Sequence, residues 1–367
     1  MSIRLFLCGD VMTGRGIDQI LPHPAEPGLF EPVIRDARSY VALAEARSGA
    51  IPRPVDFTYI WGEALTELDS QQPDLRIINL ETSITHDGVP ADKEIHYRMG
   101  SGNVPCLTAA KLDCCVLANN HILDWGQSGL FDTLDSLSNA GVRTPGAGVN
   151  HAAAAAPAVV PADKDKDRRL LVFGFGHGSA GVPFDWSAGA DRPGVCLLRN
   201  LSVSVADEVI AEIGQARRSG DLVVASLHWG GNWGYEVSPA QRAFARRLID
   251  SGAVDLVHSH SSHHFRPIEI WRGKLILYSC GDLLNDYEGI RGYEEYRGDL
   301  GIMYFPSLVE GGALEGLTLV PMQVRRMRLV RPSEEDREWL LNRLNRECAR
   351  FGTTFVRDAS GAFRLQA

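Results

Sequence analysis

An apolar run over residues 222–227 stops at His228, Trp229 and Gly230. A second, over 254–257, stops at His258, Ser259, His260, Ser261, Ser262, His263 and His264. Between them, Ser238 and Pro239 are helix-start residues, and Phe244, Leu248 and Ile249 fall at helical spacing. This strand–loop–helix–strand unit is a building block of an α/β fold, and sites in open α/β sheets gather at the carboxyl ends of strands. Five of the eleven histidines stand at these two strand ends. Neutral imidazole is the commonest metal ligand, so a metal site is the first expectation.

Other strand ends repeat the theme. Residues 3–8 form a strand that delivers Gly9 and Asp10 to a glycine-bearing loop with Arg15. A carboxylate placed there binds a metal, acts in catalysis or caps the next turn. Residues 75–80 end in Asn79, Leu80, Glu81 and Thr82, with Asn79 and Glu81 on one face at the period of two. Residues 114–117 are followed by Asn119, Asn120 and His121, two amides and an imidazole with little packing rationale. Together, Asp10, Asn79, Glu81, Asn120, His121, His228, His258 and His260 make a mixed oxygen–nitrogen donor set. Such sets suit zinc, manganese or iron, and calcium where oxygens dominate.

Helices are predicted over 33–47, 61–68, 107–111 and 203–218, and after Gly126 with Leu130, Leu134 and Leu137 inward and Gly141 closing. Strands at 157–160 and 170–175 flank a charged hairpin tip at 163–169, and His177 falls in an ordinary loop. Residues 274–279 are a strand, 286–298 a polar aromatic loop, and 301–308 with 317–328 an antiparallel pair. A capping box at Ser333 and Asp336 opens a helix to Cys348. The expected organisation is one catalytic domain over 1–330 and a helical extension, 331–367, packed on it.

A net charge of −9 gives no basic footprint for nucleic acid. No 18 apolar residues run together, and the N-terminal apolar run is too short for a signal peptide. Seven cysteines, an odd number with Cys114 beside Cys115, do not form a disulfide framework. The expectation is a cytoplasmic protein without membrane contact and with buried free thiols.

The motifs GDVMTGR (9–15), NLETSIT (79–85), ANNHILDWG (118–126), LHWG (227–230) and HSHSSHH (258–264) follow in order. Together they resemble the motif set of the CapA, or poly-γ-glutamate capsule synthesis, family over roughly residues 3–300. That family is similar to the calcineurin-like metallophosphoesterases. The resemblance implies a four-layer α/β/β/α sandwich of metallo-dependent phosphatase type with two central mixed sheets. It implies that Asp10, Glu81, Asn120, His228, His258 and His260 are ligands of a divalent metal ion. Asp10 resembles the aspartate of the D-x-H motif, Glu81 the bridging carboxylate, and His258 with His260 the terminal H-x-H pair. Met12 replaces the histidine of D-x-H, so one ion rather than two is expected.

Capsule proteins of this family are typically membrane-anchored, whereas soluble members resemble epimerases of lasso-type peptides. With no anchor in view, the reading is a metal-dependent peptide epimerase with Asp10 and His121 as acid and base, and His263 or His264 in reserve. Its peptide substrate would meet Arg15, Asn119, Trp229 and His263, with Trp229, Trp233 and Tyr235 beside a side chain or in the core. The alternatives are a phosphoesterase, a γ-glutamyl-type hydrolase, a poly-γ-glutamate biosynthesis protein and a non-catalytic binder of an acidic polymer. The oligomeric state is open.

Overall fold

The computed structural model describes residues 2–161 and 168–366. The chain begins one large sheet, leaves it to build a second, and returns. The first sheet opens with β1 (Ile3–Val11), β2 (Leu75–Leu80) and β3 (Cys114–Val116), paired in parallel in that order. The second is a parallel run of β4 (Arg169–His177), β5 (Leu222–His228), β6 (Leu256–His260) and β7 (Lys274–Leu277). Ile268–Trp271 and Ala158–Pro161 pair antiparallel to β7 and β4. The return adds β8 (Asp282–Leu284), parallel to the end of β1, then β9 (Leu300–Leu308) and β10 (Leu314–Val324) as antiparallel neighbours. The expected mixed α/β class is the observed one.

Side-chain alternation decides what each face of the second sheet buries. Leu170, Val172, Leu222, Val224 and Leu256 join one apolar cluster with Leu7 and Val116 of the first sheet. Leu171, Phe173, Val223, Ala225 and Val257 join another with Val205, Val209, Phe244 and Leu248. The last four lie on the helices Val203–Ala216 and Pro239–Asp250. One face therefore meets the first sheet and the other meets helices. The helix Pro239–Asp250 starts at a full capping box: Gln241 N donates to Ser238 Oγ at 3.1 Å, and Ser238 N donates to Gln241 Oε1 at 3.1 Å. Such a cap contributes about 1 kcal/mol.

The same alternation aims the site. Ser226 and His258 are register partners, as are His228 and His260. All four share the face of Val224 and Leu256, toward the first sheet. Trp229 lies on the other side and packs edge-on to Phe244 with ring centroids 6.0 Å apart.

Some expectations shift. The helix predicted over 33–47 is Arg38–Ser48, because residues 27–37 close a loop in which Ala37 N donates to the Pro27 carbonyl at 2.8 Å. The strand predicted over 317–328 stops at Val324, where Arg326 and Met327 turn with φ of 57° and 54°. Of the predicted hairpin tip, residues 163–167 lie outside the described residues, and Arg169 already belongs to β4. The segment 331–367, expected as a helical extension, carries the helix Glu334–Cys348 and also the strands Phe355–Arg357 and Phe363–Leu365. Phe363–Leu365 pairs with β10, so this segment completes the edge of the first sheet. All seven cysteines are buried and free. No helix among the described residues is long and apolar enough to cross a membrane.

Candidate metal centre

Asp10, His228 and His260 bring one donor atom each to within 4.8 Å of one another. His228 Nδ1 lies 2.9 Å from His260 Nδ1, and Asp10 Oδ1 lies 3.6 Å from His260 Nδ1 and 4.0 Å from His228 Nδ1. In a tetrahedral site with bonds of about 2.0–2.2 Å, neighbouring donors stand about 3.3–3.6 Å apart, and these three separations bracket that spacing. On the far side of His228, Nε2 lies 2.9 Å from Asn120 Oδ1 and 4.0 Å from Glu81 Oε1. The other oxygen of Glu81, Oε2, is buried and has no hydrogen-bond partner. An orphaned buried carboxylate oxygen is one that a bound cation would satisfy.

The electrostatics agree. Burial holds His228 and His260 well below the usual histidine range, which keeps them neutral and able to ligate. Burial, and then the charge of Asp282, pushes Asp10 up. Burial, then Asp10 and Asp282, push Glu81 well above the usual carboxylate range. Carboxylates crowded in this way favour a bound cation.

His121 stands at the rim of this group. Its Nδ1 is 2.6 Å from Asp124 Oδ2 and its Nε2 is 3.7 Å from Glu81 Oε1. Lys93 Nζ donates to Asp124 Oδ1 at 2.7 Å and to the Asn120 carbonyl. Burial lowers His121 to about 4, so the ring is neutral near pH 7 with one nitrogen anchored on Asp124. Neither Asp124 nor Lys93 stood out in the sequence. The spacing of three between His121 and Asp124 was the available signal for the first.

The remaining expected site residues fall into two groups. Asn119 is buried and works as an orienter: its Nδ2 donates to Asn79 Oδ1 at 3.1 Å and its Oδ1 accepts from His121 N at 3.1 Å. Asn79 in turn donates to Asp10 Oδ1 at 2.7 Å. His258 shares the metal-facing side of β6 but lies outside the donor group, with Nε2 2.7 Å from the Cys8 carbonyl and Nδ1 3.0 Å from Ser226 Oγ. Arg15, expected as an open fork for a substrate carboxylate, is filled from within by Asp286, Glu31 and Tyr40. Trp229 is a core residue on the helix side, its Nε1 donating to the Tyr278 carbonyl at 3.3 Å. His263 does border the site: Nδ1 is 3.1 Å from Asp282 Oδ1. Glu81, Asn120, His121, His228 and His263 line a cleft of about 1980 Å³, and Trp233 and Tyr287 form part of its wall.

The profile of the family described as Bacterial capsule synthesis protein PGA_cap matches residues 4–287, which hold every donor above. The chain belongs to this family. Within the capsule synthesis family, a probable polyglutamine synthesis accessory protein of Mycobacterium tuberculosis is 50% identical over 357 residues, 96% of this chain and 93% of its own. The PGA biosynthesis protein CapA of Bacillus subtilis is 27% identical over 282 residues, 76% of this chain and 62% of its own. The capsule biosynthesis protein CapA of Bacillus anthracis is 25% identical over 293 residues, 78% of this chain and 60% of its own. The names of these capsule-family relatives concern polymer and capsule synthesis. None of them bears on lasso-peptide epimerisation, so that branch of the sequence reading has no support here.

Proposed function

We propose that this chain is a metal-dependent enzyme of polyglutamyl polymer synthesis that cleaves or transfers amide bonds of a glutamyl chain. The observation that carries the proposal is the convergence of Asp10, His228 and His260 behind a cleft that His228 lines together with Glu81, Asn120 and His121. Two guanidinium groups in that cleft, Arg47 and Arg325, have no ion-pair partner among the described residues. They suit the side-chain carboxylates of an extended glutamyl chain. Two facing sheets with helices outside the second support the four-layer metallophosphatase-type sandwich that the resemblance implies.

Asp10, His228 through Nδ1 and His260 are the residues that would hold the ion, with Glu81 and Asn120 at the opposite nitrogen of His228. Once bound there, a divalent ion supplies Lewis acidity toward a carbonyl oxygen and acidifies a water molecule. His121 presents Nε2 to that space while Asp124 holds Nδ1. A neutral imidazole so oriented takes a proton from the nucleophile and returns it to the departing amide nitrogen. Asn79 and Ser261 N fix Asp10 through both of its oxygens, at 2.7 and 3.0 Å.

The test is mass spectrometry of short γ- and α-linked glutamyl oligomers incubated with the protein in deuterium oxide, with and without chelator. Chelator-sensitive loss or gain of whole glutamyl units is the expected result. Deuterium uptake with no change in bonding would replace the proposal with α-proton exchange. Binding without turnover would replace it with a non-catalytic role. Asp124→Asn is expected to lower kcat by about 10- to 100-fold with metal content retained, because it removes the anion that orients His121. Unchanged kcat would remove His121 from the proton-transfer role.

A further inference from the structure

We propose that Asp10, His263 and Asp282 form a second cation site, sharing Asp10 with the centre at His228 and His260. The proposal rests on the metal-centre reading above. It replaces the single ion expected from Met12 with a pair.

The site is built by a strand the sequence does not advertise. β8 lies parallel to the end of β1 with Asp10 and Asp282 as register partners, held by Asp10 N to the Gly281 carbonyl at 3.0 Å and Met12 N to the Leu284 carbonyl at 2.9 Å. His263 comes from the loop after β6, anchored by its own N–H to the Asn232 carbonyl at 3.1 Å. One donor atom from each of Asp10, His263 and Asp282 lies within 4.8 Å of the others. Asn285 Nδ2 donates to Asp282 Oδ2 at 2.9 Å, an outer partner that fixes the carboxylate as metal sites require. Met12 has turned its sulfur to the Tyr287 hydroxyl, 3.6 Å away, and Tyr287 packs edge-on to His263. The neighbourhood that lacks a nitrogen at position 12 is therefore the one into which His263 and Asp282 bring new donors.

An internal ion pair of His263 with Asp282 is the simpler account; the second site differs from it in bringing the Asp10 carboxylate within 4.8 Å of both groups. Asp10, Glu81 and Asp282 are three buried carboxylates within mutual electrostatic reach. The nearby cations are committed elsewhere, Lys93 to Asp124 and Arg15 to Asp286 and Glu31. With His263 neutral and ligating, one divalent ion against three ionised carboxylates leaves the site net negative in low dielectric. A second divalent ion makes the site slightly cationic, which favours an anionic substrate group. His263 lines the cleft, so the ion has a route in. A carboxylate shared between two ions is the arrangement that holds paired ions about 3.5–4 Å apart.

The experiment is metal loading of the chelator-stripped full chain with Mn²⁺, read by elemental analysis and by electron paramagnetic resonance. Wild type is expected to take up about two equivalents and to show the spectrum of coupled manganese ions. Asp282→Asn and, independently, His263→Ala should each leave about one equivalent and remove the coupling. Circular dichroism melts of each variant report whether it is folded, and two variants guard against one failing to fold. One equivalent in wild type, lost in His228→Ala and unchanged in both Asp282→Asn and His263→Ala, overturns the second site and keeps the metal-centre reading. One equivalent lost in Asp282→Asn and kept in His228→Ala supports this site and sinks that reading. No uptake in wild type sinks both.

Discussion

His228→Ala is expected to lose tightly bound metal and to reduce turnover by more than about 100-fold, since even outer partners of a metal ligand cost 10- to 100-fold. The imidazole is buried, kept neutral by burial, and touches the donor set on both edges: His260 at 2.9 Å through Nδ1 and Asn120 at 2.9 Å through Nε2. Removing it also leaves those two partners unsatisfied, at a cost of about 1–3 kcal/mol of stability. The same centre predicts a pH signature in calorimetry with and without chelator. In the metal-free protein Asp10 and Glu81 have raised values, so above the ordinary carboxylate range the folded state holds more protons than the unfolded state. Stability then falls as pH rises through the raised values. His263, which burial lowers but Asp282 raises further, acts in the same direction. The lowered histidines His121, His228, His258 and His260 act oppositely, but their contribution is complete above the ordinary histidine value and is lost only as pH falls below it. Around pH 7, the value to which Asp10 is pushed, the carboxylates therefore decide the slope, and the melting-temperature gap between metal-loaded and stripped protein should widen as pH rises through it. A gap that narrows instead would mean that the ion is not bound by these carboxylates.

Much of the candidate metal centre was legible because its donor residues end strands. Apolar runs mark β1, β2, β5 and β6, and Asp10, Glu81, His228 and His260 are polar residues where those runs stop. Asp282 was not legible, because it meets Asp10 only through the pairing of β8 with β1, and β8 is too short to show alternation. The three-residue strands Phe355–Arg357 and Phe363–Leu365 escaped for the same reason. For Trp229, open between a substrate side chain and the core, the period of two decides: one residue past His228, it turns to the helices. His258 was misplaced by motif: two residues before His260 is about 6.6 Å back along the strand, deep enough to bond Cys8 and Ser226 instead. Arg15 was misread because a glycine-rich loop suggests exposure, and nothing local announces that Asp286 will cover it.

That burial makes Asp286→Ala the variant with the largest expected loss of stability, about 3–5 kcal/mol, measured by urea denaturation. Asp286 is 0% exposed and Arg15 3%. Asp286 Oδ2 accepts from Arg15 Nε at 3.1 Å and from Gly16 N at 3.0 Å, and Oδ1 accepts from Arg15 Nη2. Without Asp286, the guanidinium keeps Glu31 at 2.9 Å but loses its bidentate partner while staying largely buried. The pair also holds a backbone that would otherwise relax, since Arg15 has φ of 48°, in the left-handed region that a non-glycine residue occupies at a cost. The guanidinium lies over the rings of Tyr40 and Tyr97, 3.9 and 4.3 Å from their centroids. Tyr97 meets His121 edge-on at 4.5 Å, so the loss should reach the site as lower kcat with metal content unchanged. Joint replacement of all three charged groups, Arg15→Met with Asp286→Leu and Glu31→Gln, separates charge from packing. A buried ionic group replaced by neutral groups of similar volume is often close to neutral in stability, so the triple variant should recover most of the stability but not the kcat. A single Asp286→Ala loss below about 1 kcal/mol would instead place the pair among solvent-screened ion pairs and remove its role in positioning Tyr97.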